Sequence, residues 1–286
     1  MPETLSPAPA VVGGFHIDSL IGRGASGEVH LATDTASGTR VALKLLPLES
    51  AEAARRFVAE AGAAQRLQHP DIVQVFAAGT QGHLGWIAME PLAGCDLVRY
   101  TRPARLLPEP VVLAVAERVA RALAYAHGLG VVHRDVKPAN VMVDWAAGRV
   151  VLTDFGIARV ADAERTRTGL VLGSPGYMAP EQLAGAEAGA AGDVYALGVT
   201  LFELLAGRRP HDAASLGELL RQVASEPAPD LALLRPGLAP ELAALVARTL
   251  AKRPADRPAG AAALADALRS VRESLDPGPR GPMSRV

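Results

Sequence analysis

His133-Arg134-Asp135-Val136-Lys137-Pro138-Ala139-Asn140, followed by Asp154-Phe155-Gly156, is the stretch on which the reading of this chain turns. It sets two carboxylates, an amide and a lysine at fixed spacing, with apolar strand-like runs between and around them. Taken singly, each Asp or Asn has an ordinary explanation as a loop residue capping a turn. Together they supply what phosphoryl transfer needs: a carboxylate to orient a hydroxyl, hard oxygen ligands for Mg²⁺ and a cation for the moving phosphate.

On the N-terminal side of this stretch the texture is that of a small β-rich unit. Residues 1–12, with Pro2, Pro7 and Pro9, read as a flexible leader. Short apolar runs follow at Phe15–Ile21, Val29–Ala32 and Val41–Leu46, the last two separated by the turn cluster Thr33 to Gly38. Ser50 to Leu67 has a helical stripe of Phe57, Ala61, Ala64 and Leu67, and Ile72–Ala77 and Trp86–Met89 are two more strands. Beyond Glu90-Pro91-Leu92-Ala93-Gly94 the pattern turns helical, at Glu109–His127, Asp193–Ala206, Pro240–Ala251 and Gly260–Leu275. The last residues, 273–286, are rich in Pro and Gly and read as a disordered tail.

Composition sets outer bounds. A chain of 286 residues with a net charge of −1 can bury a sizeable core and has no bulk attraction for nucleic acid. The single cysteine, Cys95, rules out an internal disulfide framework and suits a reducing cytoplasm. The longest apolar run, Val194 to Ala206, falls short of the ~20 residues of a membrane span and carries Glu203, so it reads as a buried helix. The N-terminus has no secretory pattern. Heavy use of Ala, Arg, Gly and Pro is the composition of a high-GC bacterial genome.

Gly22-Arg23-Gly24-Ala25-Ser26-Gly27 is a glycine-rich phosphate-loop pattern, weak by itself. A dinucleotide-binding turn would open a helix after the third glycine, whereas Glu28-Val29-His30-Leu31-Ala32 alternates like a strand. Backbone N–H groups of such a hairpin can approach phosphate oxygens with no Cβ in the way. On the strand Val41-Ala42-Leu43-Lys44, Ala42 and Lys44 share a face. A strand lysine is usually a solvated surface residue, but Glu60 lies on the apolar stripe of the following helix, where a carboxylate wants a cation. An exposed Glu60 on a slightly rotated helix is the alternative.

These motifs, in this order over residues 10 to 272, resemble the bacterial eukaryotic-type (Hanks-type) serine/threonine protein kinases. The resemblance implies an α+β, two-lobed protein kinase fold spanning 13–272. The N-lobe, about 13–90, would have five antiparallel strands plus one helix, and the C-lobe, about 95–272, would be mainly helical. It implies ATP with Mg²⁺, or Mn²⁺ as the alternative metal, and protein substrates. Ile21, Gly22, Gly24, Gly27 and Val29 would cover the nucleotide, Val29 and Ala42 would flank adenine, and Lys44, paired with Glu60, would meet the α- and β-phosphates. Met89 would border the deep end of the pocket, with Asp96 near the ribose and Met142 under the base. Asp135 would align the substrate hydroxyl and Lys137 would neutralise the transferring phosphoryl group. Asn140 and Asp154 would hold the metal, while His133 and Phe155 would pack the loops in register.

The resemblance extends to an activation segment from Asp154 to Glu181, ending in Met178-Ala179-Pro180-Glu181. Arg257 is the expected partner of Glu181, and Asp193 with Gly198 opens the anchoring helix, where Tyr195 replaces the commoner tryptophan. Ser174 stands where a threonine is usual. Thr166 and Thr168 are autophosphorylation candidates, one or both, with Arg134 receiving the phosphate. Lys44, Asp135, Asn140 and Asp154 are all present, against a pseudokinase, and the Glu181–Arg257 pattern disfavours a small-molecule phosphotransferase. Regulation is expected from a partner protein, a second copy joined through the N-lobe, or the phosphorylation state itself.

Overall fold

The computed structural model describes residues 10–24, 27–155, 175–186 and 189–275, arranged in two compact units. The first comprises the described residues up to Ala93, together with Asp154 and Phe155. The second comprises Gly94–Thr153 and the described residues from Pro175 onward. Asp154 and Phe155 therefore group with the N-terminal unit, although the sequence reading counted them with the C-terminal one.

In the first unit, six strands form one antiparallel sheet in the order β1-β2-β3-β4-β6-β5. They are β1 (Val11–Val12), β2 (Phe15–Gly24), β3 (Gly27–Asp34), β4 (Arg40–Pro47), β5 (Val75–Gln81) and β6 (Leu84–Met89). The five expected strands are thus joined by a sixth, taken from the end of the expected flexible leader. Val11 and Val12 pair with His16 and Phe15, and Val12 is fully buried. Burial of the Val12 side chain in the cluster with Phe15, Val41 and Leu43 holds this short strand to the sheet. The fifth strand begins at Val75 rather than Ile72; Ile72 and Val73 are buried outside the ladder.

β4 is buried from Val41 to Leu46 on both faces, which explains its unbroken apolar run. Val41, Leu43 and Leu45 enter the sheet core with Phe15, Ala32 and Ala88. Helix α1 (Ala51–Gln65) is capped by Ser50, whose Oγ accepts from the Ala53 N–H at 3.0 Å, and it buries Phe57, Ala61 and Ala64.

The second unit has a three-stranded sheet of β7 (Cys95–Asp96), β8 (Val141–Asp144) and β9 (Arg149–Leu152). Its helices are α2 (Glu109–Gly128), α3 (Pro180–Leu183), α4 (Ala190–Ala206), α5 (Leu216–Ser225), α6 (Leu231–Leu234), α7 (Pro240–Thr249) and α8 (Ala261–Leu275). α4 is apolar nearly all round and buried nearly all round, with α2, α7 and α8 packed on it. Gly198 permits the close approach of α4 to α7: a Cβ there would lie 2.2 Å from Thr249 Oγ1. The last helix runs to Leu275, so residues 273–275 of the expected tail are helical. Among the described residues no helix is long and apolar enough to cross a membrane.

Candidate active site

Strand register gathers the first group of candidate residues on one sheet face. Val29 lies opposite Lys44, and Ala42 lies opposite Leu31 on one side and Met89 on the other. Directly opposed residues of antiparallel strands share a face. The four positions expected around a nucleotide are therefore neighbours by pairing alone. Gly24 pairs with Gly27 at the tip of the β2–β3 hairpin. Gly27 has φ +133°, and a Cβ on it would lie 2.0 Å from the Leu45 carbonyl oxygen, so only glycine fits. Ile21 falls at the irregularity between Leu20 and Gly22 and is exposed, beside Gly22 in the same strand.

Lys44 is 4% exposed, and its Nζ lies 2.7 Å from Asp154 Oδ1. Asp154 itself has φ +61°, a left-handed conformation that aspartate tolerates better than most residues. Lys44, Met89, Asp154, Phe155, Ile72 and Val75 help to line an apolar recess of about 20 Å³, room for a single water. Phe155 is buried. Glu60, the expected partner of Lys44, lies half-buried on α1 in the same unit.

In the second unit the loop before β8 is fixed by four sets of hydrogen bonds. Asp193, 1% exposed in the first turn of α4, accepts from the backbone N–H groups of His133 and Arg134, each at 2.8 Å, and meets His127 Nε2 at 2.8 Å. Arg134 is thereby held at φ +69°, a left-handed geometry that is uncommon for a long side chain. His133 Nδ1 accepts from the Asp135 N–H at 3.2 Å, so its Nε2 carries the proton and donates to the Thr153 carbonyl at 2.8 Å. Asn140 Nδ2 donates to the Asp135 carbonyl at 2.7 Å and to Asp135 Oδ2 at 3.0 Å. Lys137 Nζ lies 2.7 Å from the same Oδ2. One carboxylate oxygen of Asp135 is thus held by an ammonium and an amide, and the side chain remains part-exposed.

Asp96 and Met142 face each other as cross-strand partners of β7 and β8, which sequence spacing alone did not show. Asp96 also caps the turn Leu97–Tyr100 by accepting from the Val98 N–H at 3.1 Å. Arg257, with a fully buried side chain, meets Glu181 bidentately, Nη1 to Oε1 at 2.6 Å and Nη2 to Oε2 at 2.7 Å. Its guanidinium carbon sits 5.0 Å from the centroid of the Tyr195 ring, so the tyrosine at this position stacks on the pair. Burial pushes the Tyr195 hydroxyl up to about 12.

The sequence reading missed two groups here. His127, in the last turn of α2, is a third clamp on Asp193, detectable only as a basic residue at a helix end. Tyr177 donates to Glu203 Oε2, tying the turn Pro175–Tyr177 to α4; burial pushes both groups above their ordinary ranges. A glutamate inside an apolar helix was the available signal, since such a group needs a partner. Thr166, Thr168 and Ser174 lie outside the described residues, as do Ala25, Ser26 and Gly156.

Comparison with known proteins accounts for this assembly of groups. A family profile described as protein kinase domain matches residues 15–268. The chain is 41% identical over 243 residues to serine/threonine-protein kinase PknJ of Mycobacterium tuberculosis, covering 81% of this chain and 41% of that protein. It is 39% identical over 209 residues to serine/threonine-protein kinase PrkC of Bacillus subtilis, covering 72% of this chain and 32% of that protein. The chain therefore spans well under half the length of these curated relatives. The crystal structure of the Mycobacterium tuberculosis PknI kinase domain superposes with a TM-score of 0.76 at 35% identity, covering 93% of this chain and 99% of that one. The sheet with its single helix, the helical second unit and the held Asp135 have the same explanation: this chain belongs to the protein kinase domain family.

Proposed function

We propose that this chain is an ATP-dependent serine/threonine protein kinase, transferring a γ-phosphate to hydroxyls of protein substrates. The observation that carries the reading is the hold on Asp135, whose carboxylate is fixed by Lys137 and Asn140 while its backbone is fixed by His133. A loose phosphoryl-transfer transition state leaves the protein mainly the tasks of positioning and charge stabilisation. Asp135 orients the attacking hydroxyl and takes its proton late; Lys137 balances charge on the group in transit. Its place two residues after Asp135 favours serine and threonine over tyrosine as acceptors.

In the first unit, Lys44 supplies the cation for the α- and β-phosphates, and Val29, Ala42 and Met89 offer the apolar face for the base. Asp96 and Met142 add the ribose and base contacts expected of them, and Glu60 supports Lys44. Asn140 and Asp154 would hold Mg²⁺ or Mn²⁺, and the described residues contain no cluster of three or more His, Cys, Asp or Glu that would form a closed metal cage. That donor set fits a metal completing its shell with phosphate oxygens and water. When bound, the metal would screen the phosphate charge.

The reading also includes autophosphorylation of Thr166 or Thr168, a cytoplasmic location and a homodimer through the N-terminal unit. The test is transfer of labelled γ-phosphate from Mg-ATP to the chain and to a basic protein, run beside Asp135→Asn, with phosphoamino-acid analysis. Label on serine or threonine that disappears in the variant is expected. Transfer that persists in Asp135→Asn, or label on tyrosine, would overturn the reading.

A further inference from the structure

The segment from Leu97 to Pro108 carries Arg99, Arg102 and Arg105 and no carboxylate. All three arginines are exposed, as is Arg208 in the turn after α4. Among the described residues, none of these four side chains makes an ion pair or a hydrogen bond. Exposed arginine is usually just solvated, so placement decides what such a cluster does. Two pieces of it, distant in sequence, are fixed against each other. Gly207, with φ +72°, caps α4, and a Cβ on it would lie 2.9 Å from both the nitrogen and the Cδ of Pro103. Arg102 and Arg208 are the chain neighbours of that contact, and the short turn Pro103–Arg105 ends in Arg105. Three unpaired guanidinium groups are therefore mounted on one corner of the second unit.

That corner connects to the candidate acceptor site through contacts within the same unit. The guanidinium of Arg209, beside Arg208, lies against Gly176. Tyr177 follows in the same turn, and its hydroxyl is pushed up by burial first, then by Glu203, and also by the Asp135 charge. The turn thus lies within electrostatic reach of the carboxylate proposed to orient the acceptor hydroxyl. The carboxylates along this track are already engaged: Glu203 accepts from Tyr177, and Asp212 pairs with Arg209 at 2.7 Å. Glu109, the next carboxylate along the chain, begins α2 and pairs with none of these arginines. What is left unbalanced beyond Arg209 is positive.

We propose that Arg102, Arg105 and Arg208 form a docking surface for an acidic segment of the protein substrate, outside the acceptor site itself. This assignment rests on the protein kinase reading. Guanidinium groups suit the task because their fixed fork meets carboxylates bidentately. A nucleic acid or an anionic membrane offers the same charge, but neither brings a side-chain hydroxyl to Asp135. A peptide that reaches Asp135 and passes the Pro175–Tyr177 turn delivers its flanking residues to this corner. The net charge of −1 also gives the chain no bulk attraction for polyanions.

The test compares three peptides that share one serine acceptor sequence, flanked by neutral residues, by four glutamates on the N-terminal side, or by four on the C-terminal side. The full chain and an Arg102→Gln, Arg105→Gln, Arg208→Gln triple variant are assayed with Mg-ATP. Fluorescent forms of the peptides are titrated against both by anisotropy, without nucleotide. One acidic peptide is expected to exceed the neutral one about tenfold in kcat/KM, mostly through KM, as the product of three exposed ion pairs worth roughly twofold each. The gain should shrink as salt rises from about 0.05 to 0.5 M. In the triple variant it should vanish while the neutral peptide is turned over as in wild type. A gain that persists in the variant, or no preference for either acidic peptide in turnover and binding, would overturn the proposal. Loss of all transfer, neutral peptide included, would count against the kinase reading, and the anisotropy comparison would then decide the docking surface by itself. Tighter binding of a single-stranded oligonucleotide or of phosphatidylglycerol vesicles through the same three arginines would assign the surface to another partner and overturn it too.

Discussion

Replacing Glu181 by glutamine keeps the size of the side chain and removes only its charge, which makes it a sharp probe of the second unit. Arg257 has five N–H donors and the structure gives an oxygen to each. Nε meets Ala251 at 2.9 Å, Nη1 meets Glu181 and Ala191 at 2.6 and 2.9 Å, and Nη2 meets Glu181 and Lys252 at 2.7 and 3.1 Å. Glutamine would turn one acceptor into an amide NH₂ facing a guanidinium nitrogen, and would leave a buried cation without a counter-charge. Breaking a buried pair by removing one partner costs about 3–5 kcal/mol. The Glu181 side chain is 22% exposed, so water recovers part of the loss and the low end, about 3 kcal/mol, is expected. For a chain of this size that corresponds to a fall in Tm of roughly 6–12 °C. Arg257→Leu should cost more, because the carbonyls of Ala251, Ala191 and Lys252 also lose their donors. Guanidinium unfolding of wild type, both single variants and the double variant gives the coupling directly, and about 2 kcal/mol or more is expected. If Glu181→Gln stays within about 1 kcal/mol of wild type, the pair is not desolvated and this account of it is wrong.

Three further outcomes follow from the geometry. Asp193→Asn should cut phosphate transfer by more than tenfold while ATP binding stays near normal, because Asp193 clamps the backbone of His133 and Arg134 and touches no nucleotide-binding candidate; nucleotide titration beside turnover would separate the two effects. Gly198→Ala should destabilise the chain by about 1–3 kcal/mol through overpacking on Thr249, and Thr249→Ala in the same chain should recover part of it in a melting experiment. His211 binds its proton near pH 4 in the folded chain and near 6.5 when unfolded, so between these values the unfolded state holds more protons and stability falls as pH falls. That loss, about 2 kcal/mol after allowance for solvent, should shrink in His211→Gln when denaturation midpoints are compared at pH 7 and pH 4.

Much of the fold was legible because its elements obey simple periods. β4 alternates Ala42 and Lys44 on one face, and the same strand's register then brings Val29 and Met89 beside them. α4 reads as a buried helix from its apolar run, and the pairing of Glu181 with Arg257 came from the family resemblance alone. What escaped has no period to read. β1 is two residues long and depends on burial of Val12. α5 was missed because Gly217 interrupts a short pattern, although Ser215 followed by Glu218 is a helix-start signal, and Ser215 Oγ does accept from the Glu218 N–H. Asp154, grouped with the first unit, pairs there with a lysine 110 residues away, a long-range contact that local pattern cannot contain. The corner that carries Arg102, Arg105 and Arg208 is likewise made by Pro103 against Gly207, distant in sequence and carrying no motif.

The grip of Asp193 on two successive amides also sets a clock. The His133 and Arg134 protons donate to a carboxylate that is 1% exposed at the start of the most buried helix. Exchange of those two protons with deuterium needs α4 to part from the loop, an opening that sacrifices the core of the second unit. The loop that carries Asp135 therefore has no cheap local melting of its own. Its rigidity is borrowed from the global stability of the helices beneath it, and destabilising substitutions far from Asp135 will register there as faster exchange before the fold itself is lost.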